Sequence, residues 1–239
     1  MKPRLSVSIP ALNEQSWIAG TLAAIGHARS QLSEPDLVEV ILIDNGSQDE
    51  TIAVASRSLD GLRIEQCLAP GQACARNWGA RVARGDILVF VDADTLVPEE
   101  LFTRVLEHCD QRHCEAGICR LGSLEGGFRG HLWWWFWNQV RRLPLAKAKA
   151  CPALMFCTRA AFNELGPFDE QVLIGEEWPI LAGLYRARPD RLVYDRRMVG
   201  RTSNRRMERC AFGYCRTFLK WVWAVVSLRG RKHYRTDLR

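Results

Sequence analysis

The stretch Ile87-Leu88-Val89-Phe90-Val91-Asp92-Ala93-Asp94-Thr95 carries the chain from five unbroken apolar residues into two carboxylates spaced one residue apart. An uninterrupted run of this kind reads as a strand covered on both faces, the pattern of a parallel sheet held between helices. Ligands of open α/β sheets gather beyond the carboxyl ends of such strands, so Asp92 and Asp94 emerge where a ligand would lie. Hard divalent cations prefer oxygen ligands and commonly share one or two carboxylates with a substrate's phosphates. A capped strand end leading into a helix is the alternative, because Pro98-Glu99-Glu100 makes a suitable first turn.

Strand and helix signals alternate on the N-terminal side of this stretch. Residues 5–9 read as a strand ended by Pro10, and the apolar spacing of Trp17, Ile18, Leu22 and Ile25 predicts a helix. Residues 38–43 form a second strand closed by Asp44-Asn45-Gly46. Ser47 followed by Glu50 reads as a capping box that starts a helix near Gln48. Leu62-Arg63-Ile64-Glu65 is a short third strand, and a helix from about Gln72 to Ala83 precedes the strand at 87–91. A βαβαβαβ series predicts a parallel sheet with right-handed crossovers.

Three strand ends then fall along one rim: Pro10-Ala11-Leu12-Asn13-Glu14, Asp44-Asn45-Gly46-Ser47 and Asp92-Ala93-Asp94. Polar groups converging there suit a base, a ribose and a metal-bound diphosphate. No G-x-G-x-x-G follows the first strand and no G-x-x-x-x-G-K-[ST] occurs, which disfavours a dinucleotide dehydrogenase and a P-loop enzyme.

With 239 residues, 47% of them apolar, the chain can bury a substantial core as one large α/β domain or two small ones. Nine cysteines without a C-x-x-C pair fit buried thiols in a reducing cytoplasm. His108-Cys109, His113-Cys114 and Cys119 are spaced more loosely than the tight pairs of structural zinc sites. The net charge of +6 is unevenly placed. Residues 1–185 carry 17 Lys/Arg against 23 Asp/Glu, whereas residues 186–239 carry 16 against 4. The basic tail favours an anionic partner: membrane phospholipid, a phosphate-bearing substrate or nucleic acid.

The N-terminus shows no long apolar segment with a cleavage site, so export is not expected. The longest apolar stretch, residues 217–228, is broken by Lys220 and falls short of the ~20 residues needed to span a bilayer. Together with Trp133-Trp134-Trp135-Phe136-Trp137 it fits interfacial anchoring, although core packing or a dimer contact would account for the same aromatics.

The residues quoted resemble the family 2 glycosyltransferases of the GT-A fold. The resemblance runs through residues 6–14, Ile43-Asp44-Asn45-Gly46-Ser47-Gln48-Asp49-Glu50-Thr51, Gly71-Gln72-Ala73-Cys74-Ala75-Arg76-Asn77-Trp78-Gly79-Ala80 and the strand bearing Asp92-Ala93-Asp94. It resumes more loosely at Ala153-Leu154-Met155-Phe156 and Phe162-Asn163-Glu164-Leu165-Gly166-Pro167-Phe168-Asp169-Glu170. It implies a nucleoside-diphosphate sugar donor bound with Mn²⁺ or Mg²⁺. Pro10, Ala11, Asn13 and Glu14 would border the base and ribose, Asp44 would hydrogen-bond the base, and Arg76 and Asn77 would sit near the base or diphosphate. Asp92 would lie near the ribose and metal, with Asp94 the more direct metal ligand. An E-D-x-D-L-like pattern implies the base; here it reads Glu176-Glu177-Trp178-Pro179-Ile180-Leu181, with Glu177 in the base position and Glu176 as fallback. Glu replaces Asp there, and Pro179 replaces the later acid. An acidic helix start with Pro in its first turn would explain these residues without catalysis.

The expected architecture is therefore α/β of GT-A type, with a Rossmann-like, mostly parallel sheet flanked by helices. Residues 1–185 would be the transferase domain, divided near 96 into a nucleotide-sugar half and an acceptor half, and 186–239 a helical basic extension. Within that extension Arg201-Thr202-Ser203-Asn204-Arg205-Arg206 is a candidate loop over the diphosphate. The expected function is inverting sugar transfer to a hydroxyl of a glycan or lipid-linked acceptor, in the cytoplasm and peripherally at the inner face of the membrane. No nucleic-acid partner is expected. The alternative is a catalytically impaired accessory protein that binds nucleotide or membrane.

Overall fold

In the computed structural model, which describes residues 2–150, 153–172, 174–208 and 212–226, the apolar runs of the N-terminal half form the middle of an eight-stranded sheet. The chain begins β1 (Leu5–Ala11), α1 (Ile18–Ser30), β2 (Val38–Asp44), α2 (Thr51–Ser58), β3 (Arg63–Gln66), α3 (Gln72–Val82) and β4 (Ile87–Val91). It continues through β5 (Thr95–Leu96), α4 (Leu101–Asp110), β6 (Ala116–Ser123), α5 (Phe128–Val140), β7 (Leu154–Thr158) and α6 (Arg159–Leu165). The remaining elements are α7 (Trp178–Ala187), β8 (Leu192–Thr202), α8 (Arg205–Glu208) and α9 (Gly213–Val226).

The strands are ordered β3-β2-β1-β4-β7-β6-β8-β5. The first four are parallel, as the alternating pattern predicts. β7 then enters antiparallel between β4 and β6, while β8 lies parallel to β6 and antiparallel to β5. Every residue of β1 and β4 is buried, because helices cover both pleat faces. Full burial of a Val, Leu or Ile side chain contributes about 1.5–3 kcal/mol, so these two strands anchor the core.

The structure departs from the expected layout in two places. α2 begins at Thr51 rather than near Gln48, and no capping box forms. The Ser47 hydroxyl accepts from the Asn13 amide instead, and Asp49 accepts from the Thr51 amide. The second correction concerns the division at residue 185. β8 lies beyond it yet pairs with β6 from Leu192 to Thr202, so the sheet runs on into the segment set apart as an extension. β8 was masked by its charge, since Asp195, Arg196, Arg197 and Arg201 interrupt its apolar pattern.

Candidate active site

Two loops at the carboxyl ends of β1 and β2 are laced together. Asn13, in the left-handed region at φ 56°, donates its backbone N–H to Ser47 Oγ at 3.1 Å and accepts from the Gln48 amide at 2.8 Å. The Glu14 amide donates to Thr51 Oγ1 at 2.7 Å. Asp44 is buried, with its two carboxylate oxygens accepting from the amides of Gly46 and Ser47 at 3.3 and 3.1 Å. Pro10 and Ala11 are buried residues of β1, paired with Ile43 and Asp44, and form the floor between the two loops.

Beneath the end of β4 lies an ion-pair network centred on Arg76 of α3, which is 1% exposed. Its guanidinium donates to Asp92 Oδ1 at 2.5 Å and to Glu176 Oε1, and its carbon sits 5.6 Å from the centre of the Phe168 ring. Burial alone would push the arginine's pKa down; Asp92, Glu176 and Glu177 outweigh it and push the pKa up, so the group stays protonated. Gln72, at the start of α3, donates to the same Asp92 oxygen at 2.9 Å. The structure thus places Arg76 one layer below the rim, holding Asp92 against the segment before α7. Asn77 likewise turns away from the rim. Its amide donates to Phe168 O and Glu170 Oε1 and accepts from the Phe168 amide, pinning the loop that leads to Glu176.

Asp94 pairs with a different guanidinium. Its Oδ2 lies 3.2 Å from Arg205 Nη2, which also donates to Glu14 Oε1, so one guanidinium joins the ends of β1 and β4. Thr202 Oγ1 lies 3.4 Å from Asp94 Oδ1, and the Ser203 amide donates to the Asp94 carbonyl. The Arg205 guanidinium stacks 5.5 Å from the Trp17 ring centre. Its pKa is raised because Glu14 and Asp94 outweigh the downward push of burial.

The donor set fits a hard divalent cation. Mg²⁺ is usually held by one or two carboxylates together with substrate phosphates rather than by an all-protein cage. Asp92 and Asp94 supply two half-buried carboxylates at one strand end, and among the described residues no cluster of three or more His, Cys, Asp or Glu side chains forms a cage. Glu14 Oε2, close by and buried, accepts no hydrogen bond among the described residues. By contrast His108, in the loosely spaced His/Cys group, bonds Asp195 at 2.7 Å.

Asp92 and Asp94 open onto a cavity of about 610 Å³ walled by Trp133, Trp134 and Trp137 of α5 and by Arg216, Lys220 and Trp221 of α9. Lys147 also lines it, with its ammonium 5.1 Å from the Trp178 ring centre. The start of α7 therefore lies directly behind that wall. Glu177, the N-cap residue of α7, is 1% exposed and does not line the cavity. Asn204 fixes the aromatic wall: it is fully buried, accepts from Trp134 Nε1 at 2.9 Å and donates to Ser123 Oγ. The Gln72–Asp92 and Asn204–Trp134 bonds escaped sequence reasoning, although Thr202 and Asn204 lie within the loop 201–206 that it singled out. Gln72 carried a local signal too, since it follows Gly71, which takes φ 122° where the chain turns into α3.

A model of the family described as glycosyl transferase family 2 matches residues 6–170. An undecaprenyl-phosphate 4-deoxy-4-formamido-L-arabinose transferase of Aeromonas hydrophila is 33% identical over 132 residues, covering 52% of this chain and 39% of that protein. A glucosyl-3-phosphoglycerate synthase of Mycolicibacterium paratuberculosis is 34% identical over 104 residues, covering 41% and 30%. The chain thus spans less than half the length of both relatives. Among solved structures, glucosyl-3-phosphoglycerate synthase from Mycobacterium tuberculosis in complex with Mn²⁺, UDP-glucose and phosphoglyceric acid superposes with a TM-score of 0.60 at 22% identity, covering 93% of this chain and 79% of that one. TarS of S. aureus, residues 1–349, gives 0.62 at 15% identity, covering 95% and 74%. These likenesses establish the fold, and the match over residues 6–170 establishes that the chain belongs to glycosyltransferase family 2.

Proposed function

We propose that the protein transfers a sugar from a nucleoside-diphosphate sugar to a hydroxyl of a lipid-linked or envelope-glycan acceptor, by single displacement with inversion, in the cytoplasm at the inner face of the membrane. One observation carries this reading: the carboxylates after β4 open onto a cavity whose other walls are aromatic and basic. The laced β1 and β2 loops, with Asp44 at their base, border the nucleotide. A divalent cation held by Asp94 and Asp92 would neutralise charge gathering on the departing nucleoside diphosphate. Arg205, now bridging Glu14 and Asp94, swings its charge toward the diphosphate as the nucleotide binds. Arg76 keeps Asp92 oriented from below. Glu177 takes the acceptor hydroxyl's proton, the work of a general base within hydrogen-bond reach, and it does so once the Lys147 segment yields. The aromatic wall suits an apolar acceptor, in keeping with the undecaprenyl-phosphate substrate in the name of one relative.

A second reading, a nucleotide-binding accessory protein, is favoured by the position of Glu177 behind the cavity wall. A thermal-shift panel of UDP, GDP, CDP and dTDP with and without Mn²⁺ tests what the two readings share, because a ligand that binds the native state raises its stability. One nucleotide should raise Tm only with the metal, and Asp94→Ala should remove the shift. No metal-dependent shift with any of the four overturns both readings. Sugar transfer by the wild type and its loss in Glu177→Gln separate the enzyme from the accessory protein.

A further inference from the structure

Helices α5 and α9 lie side by side, joined by ring contacts: Trp133 with Tyr214 at 5.6 Å, Phe136 with Phe218 at 5.7 Å and Trp137 with Trp221 at 5.0 Å between centroids. Both helices wall the active-site cavity. Each helix also carries an apolar stripe on its outer side. On α5 this stripe is Phe128, Leu132, Trp135 and Phe136, with Trp135 60% exposed; on α9 it is Leu219, Val222 and Trp223, with Leu219 and Trp223 65% and 63% exposed. Leaving such residues in water is costly, and contiguous exposed apolar patches of this kind mark interaction sites.

The edge of this face identifies the occupant. Passing round α5 away from the cavity, the stripe gives way to a groove of about 480 Å³ lined by Arg120, Arg142, Arg196, Tyr194, Trp134 and Trp135, among others, and none of the described residues lining it is acidic. Arg120, Tyr194 and Arg196 also line the adjoining groove, which adds Arg104, Arg112 and Arg197 together with one acid, Asp195. Arg104 is engaged with Asp195 and Arg112 with Glu107, whereas Arg120, Arg196 and Arg197 form no ion pair among the described residues. Beyond α9 the sequence adds five Lys/Arg against one Asp in residues 227–239. Exposed Trp and Leu beside arginines match the layering of a bilayer surface, with aromatics at headgroup level and cations meeting lipid phosphates. A protein partner of similar area has no need of the acid-free groove at Arg120, Arg142 and Arg196. No described helix is long and apolar enough to cross a membrane, so the contact is with one leaflet.

We propose that the outer faces of α5 and α9 dock into an anionic phospholipid leaflet, with the groove at Arg120 and Arg196 taking lipid headgroup phosphates. The two features together fix the orientation, which sets the two helices that wall the cavity against the membrane. Its consequence for catalysis rests on the reading of that cavity as the acceptor site: the acceptor would arrive laterally from the leaflet.

Co-sedimentation of the full chain with phosphatidylcholine vesicles, with and without phosphatidylglycerol, tests the proposal. Binding should require the anionic lipid, and Leu219→Glu/Trp223→Glu should weaken it about tenfold or more by charging the inserted stripe. Arg120→Glu/Arg196→Glu should weaken it to a similar degree and lower its salt dependence. Both variants should keep the wild-type near-ultraviolet dichroism and the Mn²⁺-dependent nucleotide shift, which separates a failure of docking from a failure of the transferase reading. A variant that loses its dichroism is replaced by Leu219→Ser or Arg196→Gln and judged by the same measure. Vesicle binding unchanged in both pairs would place the contact in residues 227–239 and overturn the proposal. A dimer in light scattering without vesicle binding would overturn it in favour of a second copy of the chain.

Discussion

Arg76 shows how much one buried cation can organise. It neutralises Asp92 at the end of β4 and Glu176 ahead of α7, two carboxylates that are far apart in sequence and close in space. Arg76→Met removes the charge while leaving both acids in place, and breaking a buried pair in this way costs about 3–5 kcal/mol. Urea denaturation should show the loss as a lower midpoint. Arg76→Lys should recover only part of it, because a point charge cannot make both fork contacts. Glu177→Gln changes shape least and removes the proton acceptor proposed above, so on that reading turnover should fall about 10²–10⁴-fold while the Mn²⁺-dependent nucleotide shift persists. Asp195 offers a test by pH. Burial would push its carboxyl up, but hydrogen bonds from Arg104 at 2.6 Å and His108 at 2.7 Å outweigh it and hold the pKa well below the usual carboxylate range. A depressed folded-state pKa adds stability above the unfolded value of about 3.9, and that stability is lost as pH falls toward the folded value. Stability measured in urea should therefore drop more steeply below about pH 4 in the wild type than in Asp195→Asn.

Among the elements, α3 is set by the closeness of its approach to the sheet. A Cβ added at Gly79 would collide with the Ser8 side chain on β1 and come within 3.2 Å of Ile43 Cγ1 on β2. Alanine is the better helix former by about 1 kcal/mol, yet overpacking costs about 1–3 kcal/mol. Gly79→Ala should therefore destabilise the fold on balance, visible as a lower Tm, and it should also disturb Arg76 one turn earlier. α7 and α5 meet the site differently. α7 brings Glu177 to its N-cap without opening it to the cavity, whereas α5 turns Trp133, Trp134 and Trp137 toward the cavity or its walls. The start of α2 teaches the same lesson on a smaller span. Ser47 and Glu50 have the spacing of a capping box, but the neighbouring β1 loop competes for the serine hydroxyl and wins.

Across the molecule, charge and apolar surface are sorted by position. Much of the basic excess of residues 186–239 lies in an arginine groove at β8, on the cavity wall of α9 and in the C-terminal stretch, while Arg188 and Arg205 are held in ion pairs. Saturating donor nucleotide with Mn²⁺ should stabilise the whole fold, by about 2.7 kcal/mol at a ligand concentration 100 times Kd. Calorimetry with and without the metal checks this.

Periodicity and order along the chain were enough for the first four strands, for the rim they share and for the two carboxylates after β4. Local patterns of burial repeat at strand and helix spacing whatever lies across the sheet, so they can be read one segment at a time. The place of β8 could not be read this way, because its arginines break the alternation and its strand identity comes from pairing with β6 across a separation of 76 to 79 residues. The same holds for the Arg76 network, for Arg205 between Glu14 and Asp94, and for the ring contacts between α5 and α9. Each is an encounter between side chains distant in sequence, whose partners are chosen by packing geometry and by the cost of burying charge unpaired.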